Sequence, residues 1–119
     1  MTYRIEPFTD PGFFFQRLEP DGWMTIGCAV LQRGHAGYVK NIERVASAGV
    51  EQAAEYEYEL CQEAKRRGCW ELLGATPESV ARYCVETYPG WRLDGTVVDG
   101  PTGRTLTRIR KQLRDTEEA

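Results

Sequence analysis

The stretch Tyr38–Trp91, YVKNIERVASAGVEQAAEYEYELCQEAKRRGCWELLGATPESVARYCVETYPGW, decides the fold. Its centre predicts a helix over Val50–Arg67. There Ala53, Ala54, Tyr56, Leu60, Cys61 and Ala64 recur at the spacing of one helical face. Most of these side chains are small, which lets a helix lie close against a sheet. Glu51, Glu55, Glu59 and Glu63 repeat every fourth residue on the outer face. Lys65, Arg66 and Arg67 close the last turn, where the helix dipole favours cations, and Gly68 is a C-terminal stop. Tyr38–Val45 (YVKNIERV), with Val39, Ile42 and Val45 among its apolar members, reads as a strand before this helix. Cys69–Gly74 (CWELLG) reads as a strand after it. A strand, helix and strand in succession make a crossover, which sets two strands parallel. Thr76 then caps a second helix, with Pro77 at its first position and Glu78 in its first turn. That helix runs to about Glu86.

On the N-terminal side, Phe13–Leu18 and Trp23–Gln32 read as strands separated by the Glu19-Pro20-Asp21-Gly22 turn. With Tyr38–Val45, reached through the short turn Arg33–Gly37, they form an antiparallel meander. Tyr3–Glu6 is a candidate short strand outside that set. On the C-terminal side, Trp91–Val98 and Arg104–Arg110 are two strands joined by Asp99–Gly103. The order is β-β-β-α-β-α-β-β. The fold class is α+β (α/β-like): a mixed, mostly antiparallel sheet with one helix on each face. The 119 residues make one domain, 1–119, with 111–119 a frayed charged tail.

Composition narrows the function. Hydrophobic residues at 41% and aromatics at 11% predict a packed core rather than disorder. A formal charge of −3 disfavours a nucleic-acid binder. The basic run Arg104, Arg108, Arg110, Lys111, Arg114 reads as a solvated edge strand. No apolar run approaches the ~18 residues of a membrane helix. The N-terminus lacks a signal-peptide core, which predicts a cytoplasmic protein. Cys28, Cys61, Cys69 and Cys84 lack the paired spacing of a zinc site, so they read as free thiols and no metal is expected. His35, the one histidine, reads as an exposed turn residue.

The order and lengths of these elements resemble the GNAT superfamily of N-acetyltransferases. The residues that carry the resemblance are YVKNIERV, the loop ASAGVEQAA before the long helix, CWELLGA, PESVARYCVETY, the Pro89-Gly90-Trp91 entry into the next strand, and the closing ribbon WRLDGTVVDGPTGRTLTRIRK. They span about two-thirds of the chain. The family's first strand and first two helices look missing or reduced. The resemblance implies a small N-acyltransferase that moves an acetyl or acyl group from acetyl-CoA to an amine, on a protein or a smaller acceptor. In such proteins backbone N–H groups at the start of the long helix hold the cofactor's pyrophosphate. The corresponding residues here are Ser47, Ala48, Gly49, Val50 and Ala53, with Val45 the place where the thioester would be polarised. Of the family's glycine-rich signature only Ala53 fits. Ala48 takes the leading Arg/Gln position, and Glu51 takes the central glycine position. A carboxylate in the first helical turn opposes a bound anion. The family's acid falls on Cys84 or Glu86, with Tyr83 and Tyr88 as neighbours. Glu43 is the candidate base.

The competing reading is a catalytically silent GNAT-like binding module. It is similar to small phage-encoded GNAT-like proteins that modify or block a host factor. Phe13, Phe14 and Phe15 alternate across a strand, so at least one faces away from its neighbours. If the family's first helices are absent, the side of the sheet they would cover is a surface for a protein partner or a second copy.

Overall fold

The computed structural model describes residues 3–7, 12–31, 35–40, 42, 45 and 50–113. Its strands are β1 (Tyr3–Pro7), β2 (Gly12–Glu19), β3 (Gly22–Leu31), β4 (Ala36–Lys40), β5 (Glu71–Thr76), β6 (Trp91–Val98) and β7 (Thr105–Gln112). Two helices, α1 (Val50–Arg66) and α2 (Glu78–Thr87), flank β5 in the chain. The seven strands form one sheet in the order β1-β2-β3-β4-β5-β7-β6. Only β4 and β5 run parallel; every other neighbouring pair is antiparallel. The mixed α+β class expected from the sequence is the class observed. The candidate strand at the N-terminus is real: β1 adds to the edge of β2, with Ile5 opposite Phe15.

Both helices lie on the same face, which corrects the expectation of one on each. The chain moves from β4 through α1 to β5, and from β5 through α2 to β6. β6 runs parallel to β5, because both are antiparallel to β7. Both crossovers therefore step in the same direction across the sheet. Right-handed connections that step the same way leave their helices on the same side. Ala53, Ala64 and Ala81 are buried against that side, with Phe15, Leu31, Leu72, Trp91 and Ile109 in the same core. The opposite face carries half-buried Phe14, Cys28 and Val30, and exposed Tyr38 and Lys40. It also carries ion pairs from Arg108 to Asp94 at 3.0 Å and from Arg110 to Glu71 at 3.4 Å.

Helix α1 ends as its sequence requires. Gly68 adopts a positive φ of 78°. The Gly68 N–H donates to the Lys65 carbonyl at 3.0 Å, and Cys69 N–H to the Ala64 carbonyl at 2.9 Å. This paired closure satisfies two otherwise orphaned carbonyls and needs the left-handed residue in the middle.

Two local expectations change. The strand assigned to Tyr38–Val45 stops at Lys40, and Ile42 and Val45 are helical and buried. Val39, Ile42 and Val45 are spaced by three, which a period-two strand cannot keep on one face but a helical turn can. Thr76 is not a helix cap. It is the last residue of β5, paired with Thr107, and its hydroxyl is buried without a hydrogen-bond partner. Pro77 occupies the cap position of α2 and makes no side-chain cap bond.

Candidate functional site

The parallel ladder between β4 and β5 is short. It runs from Ala36 opposite Glu71 to Tyr38 opposite Leu73, and then stops. β5 continues to Thr76 while the chain leaves β4 after Lys40. Ile42 folds over Gly74 so closely that a Cβ there would sit 2.5 Å from its Cδ1. The two strands part at this end, where their ladder stops, and a side chain at position 74 would have to displace the end of Ile42.

Beside this parting lies a small, half-open pocket, almost wholly apolar. Val39, Ile42 and Val45 form the wall on the β4 side. Helix α1 contributes Ala53, Tyr56, Glu57 and Leu60; Cys84 and Tyr88 come from α2 and its end; Trp91 and Ile109 form the floor. Tyr56 is held firmly. Its ring packs edge-on against Phe15 at 5.2 Å, and its hydroxyl donates to the Cys28 carbonyl at 3.3 Å. Gly27 permits this, since a Cβ there would meet the Tyr56 ring at 2.6 Å. Burial holds the Tyr56 phenol far above its ordinary range.

Four residues singled out from the sequence meet here: Val45, Ala53, Cys84 and Tyr88. Tyr88 is the most informative. Its hydroxyl oxygen is buried and, among the described residues, makes no hydrogen bond of good geometry. Burial first, and then the neighbouring Tyr83, push it up to about 12. Tyr83 itself is exposed and meets the Tyr88 ring edge-on at 6.3 Å. Burial raises the Cys84 thiol, so it stays protonated and is no nucleophile. Glu86, the other position for the family's acid, is exposed and does not line the pocket. Glu43, Ser47, Ala48 and Gly49 lie outside the described residues. Val50 opens α1, and its side chain also lies outside them. Of the three phenylalanines, Phe15 is core at 2% exposure and Phe14 is half-buried on the helix-free face. The side chain of Phe13 lies outside the described residues.

Sequence reasoning missed one feature of the pocket wall. Lys111 Nζ forms an ion pair with Glu57 Oε1, and Cys61 Sγ donates to the same oxygen at 3.3 Å. β7 runs to Gln112, so Lys111 belongs to the sheet rather than to a frayed end. Burial alone would lower Lys111, but the Glu57 carboxylate outweighs it and the ammonium is held above its ordinary range. Burial and the same carboxylate push Cys61 up to about 11. Only the Glu57/Cys61 spacing of four was readable in advance. All four cysteines are free thiols. Among the described residues, no cluster of three or more metal-ligating side chains forms, and no helix is long and apolar enough to cross a membrane.

No protein-family model matches the sequence, and no curated protein matches it. Solved structures do resemble the fold. The crystal structure of aminoglycoside 6'-acetyltransferase type Ii superposes with a TM-score of 0.55 at 12% identity, over 90% of this chain and 72% of that one. The structure of TofI in a ternary complex with an inhibitor and MTA superposes with a TM-score of 0.52 at 16% identity, over 89% of this chain and 66% of that one. At such identities the likeness is one of fold: the chain has an acetyltransferase-like architecture.

Proposed function

We propose that this chain binds the thioester end of an acyl-CoA in the pocket between α1 and α2, and transfers the acyl group to an amine. The observation that carries the reading is the Tyr88 hydroxyl, buried and, among the described residues, without a hydrogen bond of good geometry, at an apolar pocket beside the point where β4 and β5 part. A stripped hydroxyl costs free energy and persists where it has work to do. The acetyltransferase-like fold supports the same reading.

The described residues fit one part of such a cofactor. Val39, Leu60, Trp91 and Ile109 offer an apolar lining for an acyl group and the thiol arm that carries it. The first turn of α1 fits the diphosphate poorly, because Glu51 stands in it. When bound, acyl-CoA supplies an activated acyl carbon. Tyr88 keeps its proton at Oη throughout the physiological range and donates a hydrogen bond to sulfur as negative charge develops there. With a proton held this tightly it stabilises the leaving thiolate rather than handing the proton over. Trp91 and Leu60 keep water from the carbonyl. The turn at Val45 is assigned the polarising N–H groups, and Glu43 the amine proton.

A second reading has its own support. Glu51 opposes an anionic cofactor, and the half-buried Phe14 lies on a face that no described helix covers. A protein-binding module, with a protein partner or a second copy on that face, would use Phe14 and would need no anionic cofactor. Phe15 drops out of that surface because it is core.

Thermal unfolding with and without millimolar acetyl-CoA, repeated with free CoA, tests the first reading. Saturation near 100 times Kd stabilises the fold by about 2.7 kcal/mol. A clear rise in midpoint with the thioester leads to an amine screen. No shift with either ligand overturns the acyltransferase reading in favour of the binding module.

A further inference from the structure

We infer that Arg17 is the receptor for a small oxyanion, the carboxylate or phosphate group of a ligand, at a site that the chain's own Glu19 fills in the free protein. This goes beyond the acyltransferase reading and does not depend on it. Arg17 follows the core residue Phe15 by two positions on β2, so both point to the helix-bearing face of the sheet. The Arg17 side chain is 7% exposed. Among the described residues its Nη2 pairs with Glu19 Oε1, while Nε and Nη1 are buried without a hydrogen-bond partner. A guanidinium does not shed its charge, and buried N–H groups without acceptors cost free energy. One carboxylate oxygen therefore leaves this cation short of acceptors. A buried ion pair adds little net stability, so folding alone gives no reason to place an arginine here. Glu19 ends β2, and its side chain is 31% exposed, so its carboxylate can turn into water without unmaking the strand. Met24, opposite Arg17 on β3, is exposed, so solvent reaches this corner of the sheet. An oxyanion entering where the Glu19 carboxylate sits presents two oxygens to Nε and Nη2, the forked edge that guanidinium offers to carboxylates and phosphates.

Thermal unfolding of the full chain reads this in sodium chloride, sodium acetate and sodium phosphate at matched ionic strength. Three proteins are compared: wild type, Glu19→Gln, and Arg17→Met with Glu19→Gln. Glu19→Gln removes the internal carboxylate and should melt lower than wild type in chloride. Acetate or phosphate should raise its midpoint by about 4 °C more than that of the double variant, which has lost the receptor. Wild type should respond less than Glu19→Gln, because the anion must displace Glu19. The anion with the larger effect tells a carboxylate ligand from a phosphate one. A second measurement needs no folded variant beyond the double one: the Arg17 Nε–H resonance, assigned by its loss in the double variant, is followed in wild type as acetate or phosphate is added. A saturable movement with either, absent with chloride, is expected. A resonance that stays still with both anions, or equal midpoint shifts in all three proteins, overturns the inference and leaves the acyltransferase reading untouched.

Discussion

Replacing Tyr88 with phenylalanine separates stability from activity. The ring stays, so its place in the pocket wall and its edge-on contact with Tyr83 at 6.3 Å are kept. Only the hydroxyl goes, and that oxygen is buried and, among the described residues, makes no hydrogen bond of good geometry. An unsatisfied buried hydroxyl costs ~1–3 kcal/mol relative to one in water. Tyr88→Phe should therefore stabilise the free protein by about 1 kcal/mol, or about 4 °C in Tm for a chain of this length. The same change removes the hydrogen bond to the departing sulfur, worth ~10²-fold in rate, or about 2.7 kcal/mol. The ground-state thioester carries no charge on sulfur, so the loss falls on kcat while KM stays within about twofold. Burial pushes Tyr88 up to about 12, so wild-type kcat should show no loss from its ionisation below about pH 10. Thermal melts and a thiol-release assay measure the two effects. A lower Tm would mean that the hydroxyl has a partner in the folded state. Unchanged kcat with a higher Tm would mean that Tyr88 never meets the sulfur. Either result breaks the argument.

Other positions give independent checks. Thr76 is 1% exposed with an unpartnered hydroxyl, so the near-isosteric Thr76→Val should raise stability by about 1 kcal/mol in denaturant titration. Gly27→Ala would put a Cβ 2.6 Å from the pinned Tyr56 ring; it should cost about 2 kcal/mol and weaken thioester binding, because Tyr56 is a pocket wall. Arg17 is buried with Glu19 paired to it and, among the described residues, two guanidinium nitrogens without a partner, so Arg17→Met paired with Glu19→Gln should leave stability unchanged or raise it by about 1 kcal/mol. Cys61 is raised from 9.0 to about 11, so the folded state holds its proton after the unfolded chain has released it. Its contribution is complete below pH 9 and is lost as pH climbs toward 11. Wild type should lose about 1.4 kcal/mol more than Cys61→Ser between pH 8 and pH 10, and equal slopes would contradict the assignment.

What could be read from the sequence follows from the range of the interactions. Helix α1, its glycine stop and the β-ribbon at the C-terminus rest on neighbours within a few residues, and these came out nearly to the residue. Tyr88 and Cys84 came from the resemblance to the GNAT superfamily, which implies an acid near the end of the second helix; both line the pocket. The Glu57–Lys111 pair was not reachable, because its partners are 54 residues apart and no local pattern joins them. One misreading was avoidable. Apolar residues at 39, 42 and 45 already carried a helical spacing, yet the β-rich sequence around Tyr38 suggested a strand throughout. The shared face of the two helices also follows from handedness once β6 is placed beyond β7. That placement was hidden, since a crossover to the near side of β4 would have put α2 on the other face.

This topology also bears on chemistry. Two crossovers stepping one way bring both helices over one end of the sheet, where β4 and β5 come apart. Any groove there is walled by helix on two sides and floored by strand. A hydroxyl at the end of α2 is then dried by its neighbours without a dedicated loop. The helix-free face bears the reverse character, with its Arg108–Asp94 and Arg110–Glu71 pairs beside half-buried Phe14 and Cys28. If transfer to a protein amine is the activity, Phe14→Ser should raise KM for a protein acceptor and leave a small amine unaffected. Equal effects on both acceptors would mean that this face supports the fold and does not receive the acceptor.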